Sequence, residues 1–558
     1  MPYRFYLNFV HARGHTYARL ARSRREGTHV RTEILANLGP VTPDQVSALR
    51  AWLESNPLLP GAPTALLTDI ERFSTRRTWQ YGRVALGHAL WRKYGLHEVV
   101  LDVLNGVPHK ARWAKLIETM VLNRLDDPTS KYGLLEWLED SATPFLLGYR
   151  TDGLHDNLFY RAMDRLWARR DALERRVYER VVKPTTHAPG VLYHDLTSSY
   201  YEGEGGPLAQ FGYSRDHRGD RPQITWGMVV TPEGLPITIQ VYPGNTTDNT
   251  TVVRMRERLT EIFGLRGGVY VGDRGMKTDD VLKDLTAHGL HYVVAEVNRN
   301  VEAILREAPR HEAVRVTEHN VAREVISREG QRYVVLFNAE RRQQELETLD
   351  HRLAQAKAIL DQFRQNLRKG REWHHHVVLR RVQAALNAKG LGDLFEVDWD
   401  EETVLGLTTK LKKKVARRKR EAGWWVLSTD TDLPVTEVAR LYLGLAIIEQ
   451  GWREIKGVRE VRPLRHWLDR RVEAHLLICM LAYLLEQTLE LRLKKGEVAM
   501  TGPRAVEWFR SIVLNEVEIG KSGVRQQVVS DLRAEHKAVL TAAGLDEKAF
   551  QQGWPRLE

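Results

Sequence analysis

Residues 190–200 read GVLYHDLTSSY, and residues 267–275 read GGVYVGDRG. Each is a short run rich in β-branched and aromatic residues, the composition of a strand buried on both faces. Each also carries one acid at or beyond the middle of the run: Asp195 in the first, Asp273 where the second meets a Gly-flanked turn. Between them the text predicts strands at 222–230 (PQITWGMVV) and 235–242 (LPITIQVY) joined by the turn TPEG, then a helix near 248–263 that Thr246, Thr247 or Asp248 would cap. After Asp273 a helix near 278–288 and a strand at 291–296 are expected.

Three sequential strands followed by helix, strand, helix and strand is a mixed α/β order with an antiparallel start. It fits the ribonuclease H-like sheet, whose first and fourth strands lie side by side, so Asp195 and Asp273 are expected to be neighbours. Residues 440–456, RLYLGLAIIEQGWREIK, predict one helix. At 3.6 residues per turn, Tyr442, Leu445, Glu449, Arg453 and Lys456 fall along one face, with Glu449 the single acid on an otherwise apolar inner stripe. Three carboxylates from separate elements suit hard divalent cations, which take oxygen ligands and keep positions open for water and phosphate oxygens.

The chain has 558 residues, a formal net charge of +11 and one cysteine, Cys479. Such a length accommodates several domains, and clustered basic residues favour an acidic partner, with nucleic acid foremost. A single cysteine excludes an internal disulfide framework and a cysteine-based zinc site. The start, MPYRFYLNFVHARGH, lacks the apolar core of a signal peptide, and the longest apolar run, LLICMLAYLL at 476–485, is too short to span a bilayer. A soluble cytoplasmic protein without membrane partners is expected.

Six regions are expected. Residues 1–42 predict a β-hairpin unit turning near Glu26-Gly27; 43–189 an all-helical region placed to bind DNA; 190–296 the first part of the α/β core. Residues 297–427 predict an inserted β-rich and helical subdomain, because so long a stretch with its own periodicity is not a loop. Residues 428–490 carry the second part of the core with the Glu449 helix, and 491–558 a polar helical tail. Within the insertion, the basic run KLKKKVARRKR at 410–420, which includes Lys410, Lys412, Lys413, Lys414, Arg417 and Arg418, predicts a positive surface for the DNA backbone, together with Arg371 and His374, His375 and His376. Adjacent histidines on a helix point in different directions and make a poor metal site.

These segments, in order, resemble the DDE transposases of bacterial insertion sequences, in the branch with a β-strand insertion inside a ribonuclease H-like core and a Tyr-x2-Arg-x3-Glu-x6-Lys signature. Here the signature reads Tyr442-x2-Leu445-x3-Glu449-x6-Lys456, so Leu445 stands where the family has Arg. The flanking text agrees: YHDLTSSYYEG, FGYSRDHRGDRPQITWGMVV, LPITIQVYPGNTTDN, YVGDRG, WWVLSTDTDLP, VRPLRHW and RRVEAHLLICMLAYLL. The resemblance spans roughly 190–490. It implies Asp195, Asp273 and Glu449 as catalytic metal ligands for two Mg²⁺ ions, with Mn²⁺ as a substitute, and cut-and-paste movement of an insertion sequence. The implied partners are double-stranded DNA, as terminal inverted repeats and as target, and a second copy in a synaptic homodimer. Tyr442 and Lys456 inherit phosphate contacts, Arg453 is the candidate to replace the missing Arg, and Trp425, with Trp424 as the alternative, is the candidate to stack on a flipped base. Asp216, Asp220, Asp248 and Glu454 are competing acids, for which turn, cap and off-face positions give ordinary roles. Two other readings share parts of the pattern: a ribonuclease H-like nuclease that cuts without joining, and a non-catalytic DNA-binding regulator.

Overall fold

The computed structural model describes residues 4–12, 15–26, 29–42, 45–46, 73–186, 190–307, 312–368, 374–400, 407–519 and 524–552. Arg371, expected on the basic surface, lies outside them. The chain divides into two compact units. One contains Gly190–Asp195 and Thr247–Ala446; the other contains Met1–Pro189, Leu196–Thr246 and Ile447–Glu558.

In the first of these units the apolar runs become the expected parallel strands. The strand Val191–Tyr200, which begins here, pairs in parallel with Gly268–Gly272, and that strand pairs in parallel with Leu290–Ala295. The helix Asp279–Ala287 makes the crossover between the last two, and Thr278 caps it by accepting a hydrogen bond from the Val281 N–H. Beyond Leu290–Ala295 the sheet continues antiparallel through Trp424–Thr429, Arg332–Asn338, Asn320–Ile326 and Val314–Arg315. The strands early in 297–427 therefore extend the main sheet. The remainder of that stretch, the helices Ala339–Arg368, His375–Ala388 and Lys413–Glu421 with the hairpin Phe395–Trp399 and Leu407–Leu411, surrounds its own apolar cluster, which includes Leu353, Ala356, Leu360, Val382 and Leu394.

In the other unit the second half of Val191–Tyr200 is followed in the sheet by Gln223–Val230, buried at every residue, and Pro236–Pro243, antiparallel to it. The long helix Asp469–Lys495 forms the centre of the unit, and its stretch LLICMLAYLL is buried throughout. Among the described residues no helix is long and apolar enough to cross a membrane.

Three expectations change here. The N-terminal hairpin is present, with Glu26 opposite His29, but a third strand, Arg4–Ala12, pairs alongside His15–Glu26. Within the region expected to be all helical, Phe73–Gln80 is a strand, and in the tail expected to be helical Val513–Ile519 and Val524–Val529 form a hairpin that pairs with it. Thr78 bonds to Asn515 across 437 residues of chain, a pairing no local periodicity announces. Finally, the helix expected over 440–456 is broken. It runs as Val435–Leu443, breaks at Gly444-Leu445, resumes as Ala446–Arg453 and ends in a π-helical turn, Glu454–Val458. Gly444 lies so close to the Tyr193 phenol that a Cβ would stand 2.2 Å from its oxygen, which explains the glycine at the break.

Candidate active site

Asp195 stands half-buried in the middle of its strand. Its neighbour His194 points to the other face, where its Nδ1 is 2.7 Å from the Tyr270 hydroxyl; complete burial pushes the imidazole down to about 3, so it is neutral at physiological pH. Asp273 is the first residue beyond Gly268–Gly272, exposed and still extended (φ −81°, ψ 169°), and its carbonyl accepts the Met276 N–H that opens the short 3₁₀ turn Arg274–Met276. The parallel register sets Tyr193 opposite Val271. Two residues further along each strand are Asp195 and Asp273, so both acids occupy matching positions, and the pleat gives them the same face. A Cβ on Gly275 would lie 2.5 Å from an Asp248 carboxylate oxygen, so Asp248 packs against the same turn.

Sequence reasoning passed over Glu296, which ends the adjacent strand. Its carboxylate is almost fully buried, ion-paired with Lys277 and accepting from the Val297 N–H and from Asn300. Those donors leave it a structural role beside the two aspartates. The only sequence signal was its place at a strand end.

Glu449 belongs to the other unit. Its helix docks through Ile448, Gly451 and Trp452, and the turn after it through Ile455. Trp452 meets Trp226 edge to face at 4.7 Å, and Gly451 approaches the Tyr483 phenol so closely that a Cβ would lie 2.9 Å from its oxygen. That is the true inner stripe. Glu449 lies outside it and is exposed, contrary to the expectation of an acid within the apolar stripe; an ionised carboxylate avoids desolvation this way. Arg453, one turn on, is exposed as well, and among the described residues neither side chain makes a hydrogen bond or ion pair. Tyr442 and Leu445 are half-buried, Tyr442 in the helix before the break and Leu445 at the break, so no continuous helical face runs from Tyr442 to Lys456.

Lys456 departs furthest from the phosphate-gripping expectation. The π-helical turn rotates it inward, where it is 7% exposed and its Nζ donates to Asp216 Oδ1 at 2.7 Å. Burial pushes this ammonium down while the Asp216 bond pulls it back up, with burial the larger effect. Asp216, which the sequence assigned to a turn, has a side chain only 1% exposed and also accepts from Arg462 Nη1 at 2.5 Å. By contrast Asp220 is exposed, and Arg218 beside it holds its carboxyl down at about 2.

Behind the Glu449 helix is a buried polar cluster. Glu454, a rival acid in the sequence, accepts from Gln450 at 2.9 Å and Gln487 at 3.3 Å, while Arg459 and Glu486 form an ion pair with both side chains 1% exposed. Burial, with Glu486 repelling, pushes Glu454 up to about 7 against the pull of the Gln450 bond. These contacts tie the turn after Glu449 to the long helix Asp469–Lys495.

Trp424 and Trp425 point to opposite faces of their strand. Trp424 packs on Phe337 at 4.5 Å, whereas Trp425 is half-buried beneath the Arg341 guanidinium at 4.2 Å. The basic run is partly neutralised: Lys412 donates to the Gly392 carbonyl, Lys414 and Arg418 face Asp393, and Arg417 pairs with Glu421. Lys410 and Lys413 are exposed. The rings of His374 and His376 stack at 5.6 Å with no acid joining them into a metal site. Among the described residues no group of three or more His, Cys, Asp or Glu side chains is gathered closely enough to hold a metal ion.

A mixed α/β sheet with one acid within a parallel strand and another just past the end of the neighbouring parallel strand is the class of domain found here. Residues 187–485 match the family model described as "Transposase DDE domain", more than half of the chain, and the chain belongs to that family. No curated protein matches it. Among solved structures, that of the piggyBac transposase synaptic complex with hairpin DNA is similar, at 9% identity and a TM-score of 0.36 over 77% of this chain and 79% of that one.

Proposed function

We propose that this chain is a transposase of a bacterial insertion sequence, which cuts DNA at the element's ends and joins the freed ends to target DNA in a cut-and-paste reaction, with Asp195, Asp273 and Glu449 as its catalytic acids. The observation that carries the reading is the parallel register of Tyr193 with Val271, each two residues before one of the two acids, in a chain of this family. Their oxygen donors suit Mg²⁺, two ions with Mn²⁺ as a substitute, and Asp273 is open to solvent as an entering cation requires. Asp195 and Asp273 would hold the metal with Glu449 as third ligand, and the bound ions would supply activation of water or a 3′-hydroxyl and stabilisation of the leaving oxygen. The chain's own groups orient the DNA: the Tyr442 phenol and the Arg453 guanidinium at phosphates, with Arg453 in place of the signature Arg that is Leu445 here. The Trp425 ring would stack on an unpaired base, and Lys410 and Lys413, with the less neutralised members of the basic run, would lie along the backbone. Two ends cut in concert imply a synaptic homodimer, with the N-terminal regions reading the terminal inverted repeats, in the cytoplasm.

The test is incubation of the protein with labelled duplex carrying the element's ends and Mg²⁺, followed by separation of nicked, hairpin and joined products. Joined products are expected. Nicks without joining would replace the reading with a nuclease, and binding without cleavage with a regulator.

A further inference from the structure

Two cations converge on a single oxygen in the Glu449 unit. Lys456 Nζ and Arg462 Nη1 both donate to Asp216 Oδ1, at 2.7 and 2.5 Å, while among the described residues the buried Oδ2 has no hydrogen-bond partner. One carboxylate charge facing two cations leaves one positive charge over. Its location follows from exposure: the Lys456 and Asp216 side chains are 8% and 1% exposed, but that of Arg462 is 38% exposed. The guanidinium therefore has one nitrogen fixed inward and keeps donors in solvent, an arrangement that suits a phosphate.

The surroundings fit the same partner. Arg462 is held in place by buried neighbours, Val461 and Leu464, and the Leu464 backbone bonds to Tyr200 and Glu202 at the end of the first core strand. On the same two segments Tyr213 and Trp467 are 81% and 64% exposed, and the Arg215 guanidinium lies 5.9 Å over the Tyr213 ring. Exposed aromatic rings interleaved with arginines make a surface for a nucleic acid backbone and its bases.

We propose that Arg462 is the member of this cluster that contacts a DNA phosphate, that Asp216 is its positioning residue, and that Lys456 serves inside as a second, buried partner of the Asp216 carboxylate. The proposal rests on the reading of the chain as a DNA-acting protein and moves the phosphate contact from the buried signature lysine to an arginine six residues on.

The test is the salt dependence of duplex binding by the full chain without added divalent cation, so that cleavage does not enter. Arg462→Ala is expected to lower the slope of log affinity against log salt by about 0.9, the value for one lost phosphate contact, and Arg462→Lys to restore it. Lys456→Met is expected to leave the slope unchanged; Lys456→Arg, which keeps the ion pair, gives the same reading should the methionine variant fail to fold. Asp216→Asn adds a positive charge, so simple attraction would tighten binding, whereas loss of positioning weakens it. An unchanged slope in Arg462→Ala, a reduced slope in Lys456→Met or Lys456→Arg, or tighter binding by Asp216→Asn overturns the proposal. If the wild type binds, cuts and joins while Arg462→Ala keeps its slope, this inference falls alone; if the wild type binds no DNA, the functional reading falls with it.

Discussion

Replacing Glu486 with Ala removes the partner of a guanidinium that has almost no access to water. The Arg459 side chain is 1% exposed, and among the described residues its side-chain hydrogen bond runs from Nη1 to the Arg124 carbonyl at 3.1 Å, apart from the Glu486 ion pair. Breaking a buried pair from one side costs about 3–5 kcal/mol, because the surviving charge stays desolvated. Glu454 decides where in that range the value falls. With Glu486 gone, its carboxyl loses a repelling neighbour, ionises more readily and becomes the counter-ion of Arg459. Glu486→Ala alone is therefore expected near the lower end, about 3 kcal/mol at pH 7, and Glu486→Ala with Glu454→Gln nearer 5. Arg459→Met with Glu486→Leu removes both charges and fills the space, and should return to within about 1 kcal/mol of wild type or exceed it. Urea unfolding followed by tryptophan fluorescence, with midpoints and slopes compared, measures all four proteins. The reasoning is refuted if Glu486→Ala lies within 1 kcal/mol of wild type, or if the double apolar variant is no more stable than the single one.

Three further outcomes follow from the same geometry. Asp195→Asn, Asp273→Asn and Glu449→Gln should each lower strand cleavage about 100-fold or more while duplex binding persists; cleavage at wild-type rate by any of them would remove that residue from the catalytic set. Glu454 has its folded pKa raised to about 7 from an ordinary 4.5, so its contribution to stability is fully present below about 4.5 and is lost as pH rises through about 7; Glu454→Gln should flatten the stability profile across that window, measured by urea midpoints at successive pH values. Gly451→Ala forces a methyl against the Tyr483 ring, which is anchored in the core, and should cost about 1–3 kcal/mol and loosen the seating of the Glu449 helix, read by unfolding and by faster amide exchange in 446–453.

The α/β order was readable because its strands are short buried runs bounded by turn residues, and Asp195 and Asp273 were conspicuous as acids within such runs. Their adjacency was expected from the fit of the strand order to a ribonuclease H-like sheet, and the first and fourth core strands do pair in parallel. Glu449 was picked out by its spacing within a family signature, but its surroundings were not: periodicity placed it in the apolar stripe, whereas docking on Trp226 and Tyr483 selects Ile448, Gly451, Trp452 and Ile455 and leaves the acid outside. The close approach of the Tyr193 phenol, about 250 residues earlier, leaves no room for a side chain at Gly444 where the helix breaks, and a helical pattern carries no mark of it.

Charge was the least legible property. The run at 410–420 counts as a block of cations in the sequence, yet Asp393 and Glu421 neutralise part of it in space. Lys456 carries the right spacing for a phosphate contact, and only the fold shows that Asp216, 240 residues away, has taken its ammonium and brought Arg462 to the same oxygen. By itself the sequence determined the strands of the α/β core and the family, because those are written in short apolar runs bounded by turn residues and in short spacings. The tertiary structure decided which charges are satisfied inside and which remain for a partner, because desolvation and ion pairing depend on groups brought together from distant parts of the chain.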